Sequence, residues 1–281
     1  MDIRQLLTEG RHALGRADLP GLEAEILLGH VLGRNRAWFY ANPEAEVSEA
    51  EASRYRALLH RRRDGEPVAY LTGVREFWSM ELTVTPDVLI PRPETELLVE
   101  TALELIPADT ACRVADLGTG SGAVALAIAS ERPACEVHAT ELSEAALAVA
   151  RANAERLLPG RVHFHHGSWC APLRGVFRLI VSNPPYVERG DPHLQRGDCR
   201  YEPRTALTPG DDSLAAIRVI AREARSMLEP GGWLAFEHGF DQGPPARALL
   251  GELGYGDVFT RADLEGRERV TAGRRPTTRG G

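Results

Sequence analysis

The chain contains no lysine, so all 33 of its basic residues are arginine. Beside abundant alanine and glycine, this reads as a genome-wide composition bias without functional content. Cysteine is scarce: Cys112, Cys135, Cys170 and Cys199 are scattered with no CxxC spacing. That excludes a disulfide framework and a zinc knuckle, and reduced thiols fit a cytosol. Long hydrophobic runs are also missing. The longest, residues 123–129, falls far short of the roughly 20 residues that span a bilayer. The opening Met-Asp-Ile-Arg has no basic start followed by an apolar stretch, so no signal peptide is expected. These absences predict a cytoplasmic protein with no membrane partner.

An excess of positive charge is lacking as well. The chain carries 33 basic against 40 acidic residues, a net of −7. Residues 1–75 hold 11 of each sign, which leaves 22 against 29 in the remainder. The whole negative excess therefore follows Arg75. A domain that grips long nucleic acid needs the opposite sign, so no direct nucleic-acid partner is expected. At 281 residues the length suggests a catalytic domain with a smaller companion. With 43% hydrophobic and 26% charged residues, disordered, collagenous and coiled-coil classes are excluded.

The chain changes character along its length. Ile3, Leu6, Leu7 and Leu14 fall near a helical stripe, as do Leu22, Ile26, Leu27 and Val31. Ser48 with Glu51 three residues on is a capping-box pattern, opening a stretch that runs to Arg61-Arg62-Arg63. Residues 1–75 are therefore expected to form a small helical bundle that recognises a partner. Residues 76–91 read as a connector, with a short hairpin turning at Trp78-Ser79-Met80. From residue 92 to 273 strands and helices alternate. Strand candidates are 113–116, 136–141, 161–166, 178–182 and 233–237, with helices over 123–130, 144–157, 213–227 and 245–253. That alternation predicts an α/β fold with a mostly parallel, doubly wound sheet, in which ligands collect beyond the carboxyl ends of the strands. The final Arg, Pro, Thr and Gly residues, 274–281, are expected to be a flexible tail.

The strongest local signal runs from Asp116 through Leu117, Gly118, Thr119, Gly120 and Ser121 to Gly122, between a strand and a helix. Glycines let the backbone turn sharply there and let a ligand approach without meeting a Cβ atom. Glu141, at the end of the next strand, is placed to accept hydrogen bonds from both hydroxyls of a ribose. With Ala123 the loop fits the dinucleotide pattern G-x-G-x-x-A, so an NAD enzyme is one reading. The same run resembles the first motif of class I S-adenosylmethionine-dependent methyltransferases. A ligand-free turn is the bland alternative. The loop by itself leaves cofactor identity open.

After the fourth strand candidate comes Ser182-Asn183-Pro184-Pro185-Tyr186. Asn-Pro and Pro-Pro commonly mark surface turns, but here the position faces the glycine loop. The prolines lack N–H groups and have fixed φ, so the segment is stiff. Asn183 offers an acceptor and a donor, and Tyr186 a flat face. This set suits a planar nitrogen substrate whose lone pair is delocalised. The Asn183 side-chain oxygen and the Pro184 carbonyl can each accept one N–H and turn the nitrogen toward a methyl carbon on a sulfonium. Asn183, Pro184 and Tyr186 are the expected catalytic residues.

The Asn-Pro-Pro-Tyr loop is similar to that of amino-methyltransferases acting on adenine, cytosine or glutamine nitrogens. A longer set is narrower: Phe77-Trp78, Leu89-Ile90-Pro91-Arg92-Pro93-Glu94-Thr95-Glu96, Asp116 to Gly122 and Ser182 to Tyr186. Asp191-Pro192-His193-Leu194, Arg200-Tyr201-Glu202-Pro203 with Ala206-Leu207, and Glu237-His238-Gly239 extend it. Together these resemble the peptide chain release factor glutamine methyltransferases, the HemK/PrmC family, over nearly the whole chain. The resemblance implies a Rossmann-like, seven-stranded sheet, S-adenosyl-L-methionine as methyl donor, and class 1 release factors as protein partners. Their Gly-Gly-Gln glutamine would be methylated on N5 by a monomeric enzyme. Carried onto this chain, Gly118, Thr119, Gly120, Ser121, Gly122, Glu141, Trp169 and Asn183 would hold the donor. Asn183, Pro184, Pro185 and Tyr186 would form the glutamine pocket. Ser168 stands where the family commonly has an acid, and Glu141 where a shorter acid is usual, which puts donor contact at Ser168 in question. A methyltransferase acting on an exocyclic amine of DNA or RNA, and a catalytically decayed binding module, are the alternatives.

Other residues are set aside. His163, His165 and His166 look metal-like, but a strand splits them between two faces with no nearby Asp or Cys, and no metal is expected. Arg61-Arg62-Arg63 reads as a solvated helix end, Cys170 as structural, and Glu94 and Glu96 as residues favouring a helix start.

Overall fold

The computed structural model describes residues 1–15 and 17–277. Two compact units are formed, one from Met1–Val74 with Arg196–Tyr201 and the other from the rest of the chain.

The first unit is helical: α1 (Ile3–Ala13), α2 (Pro20–Leu32), α3 (Arg36–Ala41), α4 (Glu49–Arg63) and α5 (Val68–Thr72). Full capping boxes start α1, on Asp2 and Gln5, and α4, on Ser48 and Glu51. Each satisfies backbone N–H groups that a helix start leaves bare. Ile3, Leu6, Leu27, Leu28 and Tyr55 fill the core between α1, α2 and α4. Gly10 is what lets α1 approach its neighbours, because a Cβ there would sit 1.9 Å from the Tyr55 Oη and 2.9 Å from the Ala24 Cβ. The expected solvated cluster at the end of α4 is partly tied down. Arg62 makes a two-pronged ion pair with Glu23 of α2, and Arg61 pairs with Glu66.

Next in the chain a hairpin of β1 (Val74–Phe77) and β2 (Met80–Thr83) turns through Trp78 and Ser79. Both turn residues have positive φ, 53° and 57°, the conformation a tight hairpin needs. Carboxylates hold it: the Trp78 N–H donates to Glu96 and the Ser79 N–H to Glu76. Glu96 therefore secures the hairpin rather than merely favouring its own helix.

The elements that follow are α6 (Glu96–Leu105), β3 (Arg113–Leu117), α7 (Ala123–Glu131), β4 (Glu136–Glu141), α8 (Glu144–Leu157), β5 (Val162–His166) and β6 (Phe177–Ser182). Then come α9 (Arg204–Leu207), α10 (Ala215–Met227), β7 (Leu228–Glu237), α11 (Gly243–Glu252), β8 (Gly256–Ala262) and β9 (Glu268–Arg274). The seven-stranded sheet has the order β5-β4-β3-β6-β7-β9-β8. The five strands from β5 to β7 pair parallel, while β9 runs antiparallel to both β7 and β8. Helix α7 is buried along Ala123–Ala129 and meets α6 and the hairpin residues Phe77 and Leu82 in one core. A second core, with Ile180, Ile217, Ile220 and Phe236, covers the opposite face. Chain order reverses at β3, which lies between β4 and β6, so their carboxyl ends open a crevice.

Three readings change. Strand β7 begins at Leu228, five residues before the expected start, because Pro230-Gly231-Gly232 reads as a turn yet carries the strand through a register shift against β6. The sheet has the seven strands expected, but its last two, β8 and β9, lie in a stretch rich in Arg, Glu and Asp that offers no strand candidate. They form because Val270 and Ala272 alternate inward while Thr271 bonds to His238 and Thr260. Nor does the tail begin at Arg274, which pairs with Trp233 in the sheet, and Arg275 exchanges backbone hydrogen bonds with Gly231 and Gly232. Residues 278–281 lie outside the described residues. Among the described residues no helix is long and apolar enough to cross a membrane.

Gly10→Ala should destabilise the helical unit by about 1–3 kcal/mol, because overpacking exceeds the ~1 kcal/mol gain in helix propensity. Denaturant unfolding followed by circular dichroism checks this, and an unchanged or higher midpoint would contradict the close approach.

Candidate active site

The glycine loop is shaped by its neighbour strand. As the chain leaves β3, the N–H groups of Gly118 and Thr119 both donate to the Thr140 carbonyl of β4, at 2.9 and 3.0 Å. The Gly120 N–H then donates to Glu141 Oε2 at 3.0 Å, and the Ser143 N–H to Glu141 Oε1 at 2.9 Å. Each Glu141 oxygen so engaged keeps a further lone pair for a ligand. Gly118 has φ +72°, and a Cβ there would stand 3.0 Å from the Trp169 ring. Only glycine lets that indole lie so close to the loop.

Gly118, Thr119, Gly120, Ser121, Glu141 and Trp169 line a cavity of about 470 Å³. Gly122 does not. It caps α7 at φ +87°, a left-handed conformation that favours glycine, while a Cβ there would meet Ala150 and Leu126 only at ordinary contact distance. Ser168 lies on the wall, as does Leu142.

The opposite wall comes from the segment after β6, where Asn183 and Pro185 line the same cavity. Pro184 and Tyr186 are not on that wall, contrary to the expected pocket. The Pro184 side chain is buried, and the Tyr186 hydroxyl donates to Glu237 Oε1 at 2.9 Å. Tyr186 therefore pins its loop to the end of β7, and burial beside that carboxylate holds its phenol well above its ordinary pKa. The Gln242 side chain grips the Tyr186 carbonyl at 2.9 Å.

Several residues that shape the site carried no expected role. Asp116, almost fully buried yet on the cavity wall, accepts from the Thr119 hydroxyl at 2.6 Å and the Ala125 N–H at 3.2 Å. Burial pushes its carboxyl up to about 7, against those two hydrogen bonds. Asn153, fully buried on α8, accepts the Thr83 N–H and donates to the carbonyls of Thr83 and Ser121, fastening the hairpin to the glycine loop. Glu202 accepts the Ile90 N–H at 3.0 Å and pairs with Arg92 at 2.5 Å. That one carboxylate joins two wall segments, Val88 to Pro91 and Pro203 to Ala206. Thr95 reaches the cavity from the turn before α6, and its hydroxyl accepts from Asn183 Nδ2 at 3.1 Å. Glu202 and Thr95 sit inside quoted motifs, but their partners are about 110 and 88 residues away in sequence, so only the fold reveals them.

The residues set aside stay outside the cavity. His165 bonds His138 at 2.9 Å, the His163 ring lies 5.1 Å from His138, and His166 donates to the Leu142 carbonyl from the other face. Among the described residues no group of three or more His, Cys, Asp or Glu is arranged to hold a metal. Cys170 is buried, and its thiol is pushed up to about 12 by that burial.

Comparison with known proteins gives two matching family models, the PrmC N-terminal domain over residues 5–73 and the methyltransferase small domain over residues 93–196. The release factor glutamine methyltransferase of Salmonella typhimurium is 48% identical over 275 residues, covering 98% of this chain and 99% of its own. That of Burkholderia pseudomallei is 51% identical over 270 residues, covering 94% and 95%. Among solved structures, a T. thermophilus 16S rRNA N2 G1207 methyltransferase in complex with AdoMet and guanosine has the same fold. It matches with a TM-score of 0.53 and 23% identity over 72% of this chain and 49% of its own.

Gly118→Ala should push Trp169 off the loop. The expected sign is a change in tryptophan fluorescence that disappears when the same substitution is made in a Trp169→Phe background. An equal change in both backgrounds would mean the two residues do not touch.

Proposed function

The chain belongs to the release factor glutamine methyltransferase family, and from that premise we propose that it methylates N5 of the glutamine in the Gly-Gly-Gln motif of class 1 release factors, using S-adenosyl-L-methionine. The observation that carries this reading is one cavity walled on one side by Gly118–Ser121 with Glu141 and Trp169, and on the other by Asn183 and Pro185. On this reading the enzyme works in the cytoplasm, as a monomer, with a protein rather than a nucleic acid as substrate.

The glycine-loop wall fits the donor. The free lone pairs of Glu141 suit ribose hydroxyls, Trp169 offers a flat face to adenine, and the bare backbone at Gly120 admits close approach. Ser168, also on the wall, keeps a hydroxyl where the family has an acid. Once bound, S-adenosylmethionine supplies a methyl carbon made electrophilic by its sulfonium.

The protein's own contribution is positioning. An amide nitrogen is a weak nucleophile because its lone pair is delocalised into the carbonyl. Asn183 Oδ1, on the cavity wall, accepts one of its hydrogens, which turns the nitrogen into line for displacement. Fixing two reactants this way converts a bimolecular step into an effectively unimolecular one. Transfer of that methyl to the nitrogen would break the carbon–sulfur bond and neutralise the sulfonium, and the surplus proton on nitrogen would pass to water. Tyr186 acts from behind, holding the stiff loop against Glu237.

Incubation with labelled donor and purified release factor should mark the Gly-Gly-Gln glutamine, located by mass spectrometry; an unmarked factor beside normal donor binding would refute the substrate. Asn183→Ala should lower turnover by about 100-fold or more while donor affinity changes little.

Asp116 gives a pH signature. The donor carries a net positive charge and so favours the carboxylate, whereas burial raises the acid to about 7 in the free protein. Binding below that pH must expel a proton, so donor affinity should fall as pH drops through about 7. Calorimetry across that range should show the fall in the wild type and a flat profile in Asp116→Asn; a flat wild-type profile would exclude the coupling.

A further inference from the structure

A carboxamide can face its substrate either way round, and only one way suits catalysis. If Asn183 presented Nδ2 to the cavity, it would offer a donor to a substrate nitrogen that needs an acceptor. Something must fix the orientation, and the network behind Asn183 does so.

Parallel pairing of β6 with β7 sets Ser182 opposite Phe236, which brings the ends of the two strands, Asn183 and Glu237, side by side. Glu237 is buried, with 1% of its surface exposed. Its Oε1 accepts the Tyr186 hydroxyl, and its Oε2 is buried without a hydrogen bond of ordinary geometry. Thr95, also buried, descends from the turn before α6 beside both residues. Burial pushes the Glu237 carboxyl up, while the Thr95 and Tyr186 hydroxyls and the charge of Arg269 push back.

In the structure Thr95 Oγ1, buried beside Asn183, offers a lone pair to the Asn183 amide. The amide turns Nδ2 toward Thr95, as the 3.1 Å contact records. Its Oδ1 is left for the cavity. We propose that Thr95 is a positioning residue that takes the Asn183 Nδ2, fixes the amide with Oδ1 as a hydrogen-bond acceptor toward the cavity, and so selects a substrate that presents N–H groups. This rests on the methyl-transfer reading of the Asn183 loop, and it adds the origin of that loop's polarity.

The test measures kcat and KM for methyl transfer to a purified release factor, with donor Kd by calorimetry. Thr95→Val keeps shape but loses the acceptor, and kcat should fall by about 10- to 100-fold with donor Kd within about threefold of wild type. Thr95→Ser should restore most of that kcat. If Thr95→Val does not fold, Thr95→Ala decides in its place, with the same loss of kcat expected. Thr95→Val combined with Asn183→Ala should be little worse than Asn183→Ala alone, since both act through the same amide. Wild-type kcat in folded Thr95→Val or Thr95→Ala, or a parallel loss of donor affinity, would overturn the proposal. Asn183→Ala separates the two levels: full turnover there sinks the functional reading itself. A dead Asn183→Ala beside fully active Thr95→Val sinks only the positioning role.

Discussion

Two backbone N–H groups on one carbonyl hold the site in place. When the chain leaves β3, Gly118 and Thr119 both donate to Thr140 of the adjacent strand. The turn is thereby bound to β4 before any ligand arrives, and Gly120 follows by donating to Glu141. Everything around the cavity is referenced to that turn. Trp169 lies against Gly118, Asp116 takes the Thr119 hydroxyl, and Asn153 holds the Ser121 carbonyl while gripping the hairpin. The glycine-loop wall is a preformed surface, and preformed surfaces are where positioning gains most.

The second wall follows a different rule. Pro184 and Pro185 have no N–H groups to give, so hydrogen bonding must come from the side chains at either end of the pair. Asn183 binds Thr95 and Tyr186 binds Glu237. Buried polar groups arranged this way are costly when unpaired and directional when paired, because a low dielectric punishes the wrong orientation. Glu202 applies the same economy to the third wall, joining Ile90 and Arg92 to its own loop through one carboxylate. Three carboxylates, Glu141, Glu202 and Glu237, each accept from segments that local sequence cannot bring together.

What was legible in the sequence were features with a local cause. The capping box at Ser48, the glycine loop, the acid ending the next strand and the stiff Asn-Pro-Pro-Tyr segment are all set by neighbouring residues. The misses have the opposite character. Strand β9 draws its stability from partners on both sides, so its own charge-rich start hides it. Strand β7 runs through Pro230-Gly231-Gly232 because its pairing with β6 tolerates a register shift. Gly122 matches the glycine motif, yet it lies off the cavity wall and serves as the left-handed cap of α7.

The sequence by itself determined which chemical groups are present and the order in which strands deliver them: a glycine turn, an acid, an aromatic, then an amide on a rigid loop. Those follow from local propensity, the fixed φ of proline and the alternation that drives a parallel sheet. Only the tertiary structure decided which way the groups face. Tyr186 turns from the cavity to Glu237, Thr95 comes to meet Asn183, and Asp116 acquires its raised pKa. Orientation and burial depend on partners dozens of residues away, and the energy of a buried polar group is set by what surrounds it in space.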